Sequence, residues 1–172
     1  MSLLTALGLN TRVPYHFLFY SLSFGGSAFY SYIVSPLIFK NLTREEFSKV
    51  QSKVFPTYFK FQILSPFILG LLTPFAYCPF SVGTLAISSI TGMLNLFFFE
   101  PKCHAIKEER IKLVAIKKDK KDNGIEPSDA MAALNSQFGR WHGLSTLINT
   151  LSIVSLGAYG LFLAKFLTFI RY

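Results

Sequence analysis

Four long apolar runs dominate the sequence and set what the chain can fold into. They cover about residues 15–39, 57–77, 81–99 and 143–167. Each is close to the roughly 20 apolar residues that an α-helix needs to cross a bilayer core of about 30 Å. Charged side chains enter them only near the ends, as Lys60 and Lys165. The pattern predicts an all-α integral membrane four-helix bundle that forms one transmembrane domain over residues 1–172.

Charge content agrees with this class and argues against a nucleic-acid-binding protein. Only 15% of the residues are charged, against about 25% in soluble domains. The net charge of +8 could attract nucleic acid. However, the basic residues lie between the apolar runs, and no nucleic-acid recognition motif is visible. Anionic lipid headgroups are therefore the predicted partners of the basic loops.

The two long connections, residues 40–56 and 100–142, carry most of the positive charge. The opposite side holds only Arg12, Lys165 and Arg171. Because cytosolic loops of membrane proteins carry the excess of Lys and Arg, both connections are predicted to be cytosolic and both termini lumenal. Each connection has apolar residues at helical spacing, which predicts amphipathic helices at the membrane surface. The second also holds a basic run, residues 117–124, that ends in an Asn-Gly turn signal.

Three polar residues inside the third and fourth runs are candidates for packing the helices together: Asn95, Ser145 and Asn149. Lipid provides little hydrophobic drive for helix association, so small and polar side chains make the contacts. At about 1.5 Å per residue, Asn95 and Asn149 fall at similar depth below the predicted cytosolic surface. We expect them to hydrogen-bond to each other, either as structural contacts or as the polar lining of a ligand cavity.

A second set of candidates collects at the predicted cytosolic ends of runs two, three and four: Lys53, Tyr58, Glu100, Arg140 and His142. One interpretation is a latch of paired charges that fixes the helix ends. The other is a functional site, because ionisable groups at membrane depth are functional candidates. In that site Glu100 and His142 would carry a proton or anchor a ligand.

Signatures of catalysis and of bound cofactors are absent from the sequence. There is no phosphate-binding loop, nucleophile elbow or metalloprotease motif. The predicted topology puts His16 and His142 on opposite sides of the membrane, and the spacing of Cys103 and His104 matches no zinc pattern. We therefore expect no catalytic residues, no cofactor and no metal, and a protein that is not an enzyme.

Three motifs resemble the transmembrane protein 205 family. They are the block at residues 50–59, which reads VQSKVFPTYF, the Glu100-Pro101 pair, and residues 142–145, which read HGLS, followed by Asn149. The resemblance implies a four-span protein of the endoplasmic reticulum and related membranes. That family has no settled biochemical activity, so the resemblance assigns no catalytic residues.

Three functions fit these observations. The first is a non-enzymatic accessory or scaffold subunit that binds other membrane proteins in a larger complex. The second is a small-molecule or lipid transporter, or a lipid-binding membrane protein, which requires a groove or cavity between the helices. The third is a haem- or metal-binding membrane protein.

Overall fold

The computed structural model describes residues 3–119 and 128–169, and the side chains of residues 3–115 and 129–168. Throughout these ranges the regular structure is helical, without strands. Four helices are long and apolar enough to cross a membrane, which confirms the predicted four-helix membrane bundle. We call them the first to fourth spans: Val13–Asn41, Arg44–Leu71, Pro79–Ala115 and Asp129–Thr168.

Two of the spans contain a π-helical turn. The α-helices of the described ranges are Leu3–Ala6, Val13–Phe29, Ser35–Asn41, Arg44–Leu71, Pro79–Leu94, Glu100–Asp119 and Ser128–Phe169. The π-helical turns Tyr30–Val34 and Asn95–Phe99 join α-helices within the first and third spans. Such turns are rare and are often found at functional sites. Tyr30 and Asn95, the first residues of the two turns, are therefore candidate site residues.

The second span begins earlier than its apolar run. A capping box starts it: the Thr43 hydroxyl accepts a hydrogen bond from the Glu46 amide at 3.3 Å, and the Glu46 carboxylate accepts one from the Thr43 amide at 3.0 Å. These contacts satisfy amides that the first turn of a helix leaves unpaired. The predicted surface helix and the apolar run consequently form one continuous helix, which ends at Leu71 rather than at residue 77.

The third and fourth spans are much longer than a bilayer is thick. Their 37 and 40 residues correspond to about 55 and 60 Å, against about 30 Å for the hydrocarbon core. The predicted helical extension of the third span is confirmed. The helix of the fourth span begins at Ser128 and passes through residue 143 without a break. The predicted turn at Asn123-Gly124 lies outside the described residues.

The second and third spans come close together at Gly92, and the packing is uneven around the bundle. A Cβ atom added at Gly92 would lie 3.0 Å from Ile63 Cγ1 and 3.3 Å from the backbone of Gln62, so a larger residue would require the second and third spans to move slightly apart. Tyr159, Leu69 and Leu156 are fully buried between the spans. The first span is the least enclosed: 11% of its apolar window is buried, against 28–39% in the other three.

Candidate functional site

An amide–hydroxyl network with two buried and two half-buried members joins the first, second and fourth spans. It consists of Ser31, Tyr58, Gln62 and Asn149. The Asn149 side-chain oxygen accepts hydrogen bonds from the Tyr58 hydroxyl and from Gln62 Nε2, both at 2.9 Å. Its amide nitrogen donates to Ser31 Oγ at 3.0 Å. Since Ser31 also lies 3.0 Å from the Tyr58 hydroxyl, the four side chains form a closed set of neutral contacts.

A second group of polar contacts continues from the network toward the predicted cytosolic end. The Tyr30 hydroxyl donates to Gln51 Oε1 at 2.6 Å, and Gln51 Nε2 donates to Ser35 Oγ at 2.9 Å. Gln51 is 1% exposed although it precedes the apolar run. Tyr30 and Tyr58 lie in ring contact, with centroids 5.2 Å apart. These contacts connect the first π-helical turn directly to the second span.

The expected hydrogen bond between Asn95 and Asn149 is not formed. Asn95 instead accepts from the Ser145 hydroxyl at 2.8 Å. Ser145 lies one turn before Asn149 on the same helix face and stands opposite Asn95, whereas Gln62 of the second span reaches Asn149. The predicted residues are therefore at helix contacts, with partners other than those expected.

The buried polar groups have more hydrogen-bonding capacity than the helices use. Gln62 Oε1 and Asn95 Nδ2 have no hydrogen-bond partner, and both side chains are 0% exposed. An unpaired buried polar group costs about 1–3 kcal/mol. Such groups call for an explanation beyond helix packing, and in a membrane protein a bound polar molecule is one.

A groove of about 550 Å³ opens between the first and second spans beside this network. Tyr58 belongs both to the network and to the groove wall. The residues that line the groove are Leu22, Gly26, Ser27, Tyr30, Lys53, Val54, Thr57, Tyr58 and Phe61. The groove thus connects the membrane-facing surface with the polar centre of the bundle.

Another groove, of about 380 Å³, lies between the second and third spans near the turn that joins them. Its lining, which includes Phe67, Leu85, Ile90 and Met93, has no charged side chain. It offers contact to an apolar chain and no anchor for a charged group, so it is the weaker candidate for specific binding.

Cations stack on aromatic rings where the third and fourth spans extend toward the predicted cytosolic end. Lys102 Nζ lies 4.0 Å from the Trp141 ring centroid and 4.4 Å from that of Phe98. The Phe138 ring stacks on His142 at 5.4 Å. Lys107, Arg110 and Arg140 make further cation–ring contacts in the same region. Such contacts are worth about 0.5–2 kcal/mol each, and they join the extensions of the third and fourth spans.

The ion pairs required by a charge-paired latch are not formed among the described residues. Within them, no carboxylate of Glu100 comes within 4.0 Å of Lys53, Arg140 or His142. Four of the five predicted residues instead divide between two places, and the fifth, Glu100, begins the helix that extends the third span. Lys53 and Tyr58 lie at the groove, whereas Arg140 and His142 lie with the stacked cations.

The sequence does not predict Gln51 and Gln62 as site residues. A signal was available for the glutamines, because an amide inside or beside an apolar run must find a buried partner. The hydrogen-bond partners of Tyr58 could not be read from the sequence either, because Ser31 and Asn149 are 27 and 91 residues away from it.

The predicted histidine positions lie apart in the bundle. His16 packs among Phe75 and Tyr159, and its Nε2 atom is 2.8 Å from the Tyr159 hydroxyl. His142 lies with the aromatic cluster that contains Phe138. Among the described residues, no three His, Cys, Asp or Glu side chains are grouped so that they could hold a metal ion.

Together these features define an integral, multi-pass membrane protein with an uncharged polar centre that a lateral groove reaches. Residues 18–112, more than half of the chain, match the family described as "Domain of unknown function (DUF4149)". The chain belongs to that family. No solved structure matches it significantly.

A curated relative extends the similarity along nearly the whole chain. It is "Xanthocillin biosynthesis cluster protein D" of Aspergillus fumigatus, which is 27% identical over 165 residues. The alignment covers 91% of this chain and 92% of the relative. The similarity to this relative therefore extends beyond the residues of the family match.

Proposed function

We propose that this protein is a non-enzymatic membrane protein that binds a lipid-like amphiphile, which enters sideways from the bilayer through the groove between the first and second spans. The observation that carries the proposal is the position of the groove directly beside the amide–hydroxyl network, with Tyr58 in both. An apolar chain would lie in the groove, and a polar group would reach the hydroxyls at its base.

Two further observations support this proposal. The groove volume of about 550 Å³ falls in the range of about 300–1,000 Å³ typical of ligand sites. The relative from Aspergillus fumigatus is named for a biosynthesis cluster, which fits a protein that handles a small molecule. By comparison, no three His, Cys, Asp or Glu side chains among the described residues are grouped so that they could hold a metal ion.

We further propose the endoplasmic reticulum membrane as the location, with both long basic loops in the cytosol and both termini in the lumen. The distribution of Lys and Arg supports the orientation. The motif resemblance to the transmembrane protein 205 family supports the location. We also propose that this protein is related to that family.

Two glycines provide a matched test. Neither Gly25 nor Gly26 has an atom within 4 Å of an added Cβ, so leucine fits sterically at both positions. Only Gly26 lines the groove. We expect photo-crosslinkable phosphatidylcholine to label peptides that contain residues 22–30 and 53–61 in the wild-type protein and in Gly25→Leu, and to lose this labelling in Gly26→Leu.

The proposal is contradicted if labelling is distributed over the exposed faces of all four spans and has the same pattern in Gly26→Leu as in the wild type. In that case the lipid contacts are those of any membrane helix. The melting temperature of each purified variant shows that a loss of labelling does not reflect unfolding.

An accessory-subunit role is the second candidate, and the first span favours it. Its small residues at Gly25 and Gly26 leave open space, and it is the least buried span. Helices in membranes associate through such small residues. This role predicts that a partner protein co-purifies with the wild type in mild detergent and no longer co-purifies with Gly25→Leu. A monomeric particle without a partner would count against it.

A further inference from the structure

We infer that the ligand of the groove is an anionic lipid, with its headgroup phosphate on Lys53 and one acyl chain directed toward Leu22 and Phe61. This inference rests on the proposed binding of an amphiphile and adds the charge of the ligand and its direction in the groove. It is carried by the order of side chains along the two helix faces.

The groove changes from polar to apolar along its length. On the second span its residues run from Lys53 through Thr57 to Phe61, and on the first span from Tyr30 through Gly26 to Leu22. Contacts of Tyr30 with Phe55 and Tyr58 show that Tyr30 is at the Lys53 end. On each helix the end residues of the groove are eight positions apart, so the groove is about 12 Å long. An amphiphile therefore matches the groove in only one direction.

Lys53 is the cation at the polar end. Within the described residues, no carboxylate lies within 4.0 Å of its ammonium group, whereas Lys49, one turn away, is paired with Glu45 at 2.8 Å. Lys53 also precedes the apolar part of the second span, at the level where lysine side chains reach lipid headgroups. A phosphate at this position would supply the missing opposite charge.

Polar groups at the middle of the groove fit the linkage between headgroup and chain. Ser27 is 1% exposed, and its hydroxyl lies beside that of Tyr58 without a hydrogen bond of standard geometry. Ser27 lines the groove, and a serine hydroxyl can donate to an ester oxygen. Beyond it, Leu22 and Phe61 provide only apolar contact, as an acyl chain requires.

The test counts bound lipids by native mass spectrometry. The purified full-length protein in detergent is titrated with phosphatidylglycerol or with phosphatidylcholine of the same acyl chains. We expect the wild type to bind phosphatidylglycerol about fivefold more tightly, since one lysine near a headgroup contributes about 1 kcal/mol. Lys53→Ala should lose this preference, and Lys53→Arg should keep it.

Control variants separate this site from general surface charge. Lys60 is exposed on the same span and outside the groove, so Lys60→Ala should bind both lipids as the wild type does. Gly26→Leu should reduce binding of both lipids, and Gly25→Leu should not.

The outcomes distinguish the inference from the proposed function. Equal binding of both lipids that Gly26→Leu abolishes would overturn the anionic ligand and leave an amphiphile site. Binding that is unaffected by both Lys53→Ala and Gly26→Leu would overturn both. A third outcome is that Gly26→Leu dissociates a dimer or a complex with a partner protein and leaves the number of bound lipids unchanged. The groove would then bind a helix of that partner, and the lipid ligand would be overturned.

Discussion

At the scale of single residues, Asn149 is the centre of the amide–hydroxyl network. It contacts side chains of the first and second spans from the fourth, through one amide group. Every member of this network is uncharged, so it avoids the cost of placing an ion in the bilayer. Its geometry depends on all three helices being in register, which makes it a sensitive measure of correct packing.

Replacement of Asn149 by Leu should destabilise the protein by about 1–3 kcal/mol, because Tyr58 and Gln62 lose their shared acceptor. The measurement is unfolding of the purified protein by denaturing detergent. A cycle with Gln62→Leu should show coupling, since the two residues share a hydrogen bond. Thr146→Val is the matched control, because the Thr146 hydroxyl bonds only to the backbone of its own helix. Strict additivity of the two changes would contradict the shared contact.

The thiol of Cys78 is a second residue with a distinct expected behaviour. Hydrogen bonds with the side chain and then the backbone of Ser81 lower the pKa of this thiol from its ordinary value. A lower pKa means more thiolate at neutral pH, and the thiolate is the nucleophile. Maleimide should therefore modify Cys78 more slowly in Ser81→Ala, and the pH profile of the rate should move upward. Identical profiles would show that Ser81 does not act on the thiol.

At the scale of helices, the approach of the second and third spans at Gly92 should limit substitution. Gly92→Leu forces the helices apart against the backbone of Gln62, and overpacking of this kind costs about 1–3 kcal/mol. Gly83 on the same span has no atom within 4 Å of an added Cβ, so Gly83→Leu should keep the wild-type melting temperature. Equal melting temperatures for both variants would mean that the spans are not in close contact at Gly92.

The helices could be predicted from sequence more fully than their contacts. Apolar length identifies each span because the bilayer fixes how many residues a helix needs. It does not give the helix ends, since the Thr43 capping box extends the second span well beyond its apolar residues. Nor does it give partners: equal depth suggested that Asn95 and Asn149 would pair, but rotation about each helix axis decides which side chains face each other.

At the scale of the whole molecule, the orientation in the membrane can be tested with single cysteines. In a Cys103→Ser background, Cys78 lies on the turn between the second and third spans, and Lys112→Cys would lie on the exposed extension of the third. If the basic loops are cytosolic, an impermeant maleimide should label Lys112→Cys in intact microsomes and Cys78 only after permeabilisation. The reverse pattern would invert the proposed topology.

The extensions of the third and fourth spans have a mechanical consequence. They continue as helices beyond the bilayer thickness and are joined near its edge by Lys102 between Phe98 and Trp141. Below that joint lie the π-helical turn that starts at Asn95 and its hydrogen bond to Ser145. This joint lies within about two helical turns of the polar contacts inside the bundle. A displacement of one extension relative to the other would therefore be passed directly to Asn95 and Ser145.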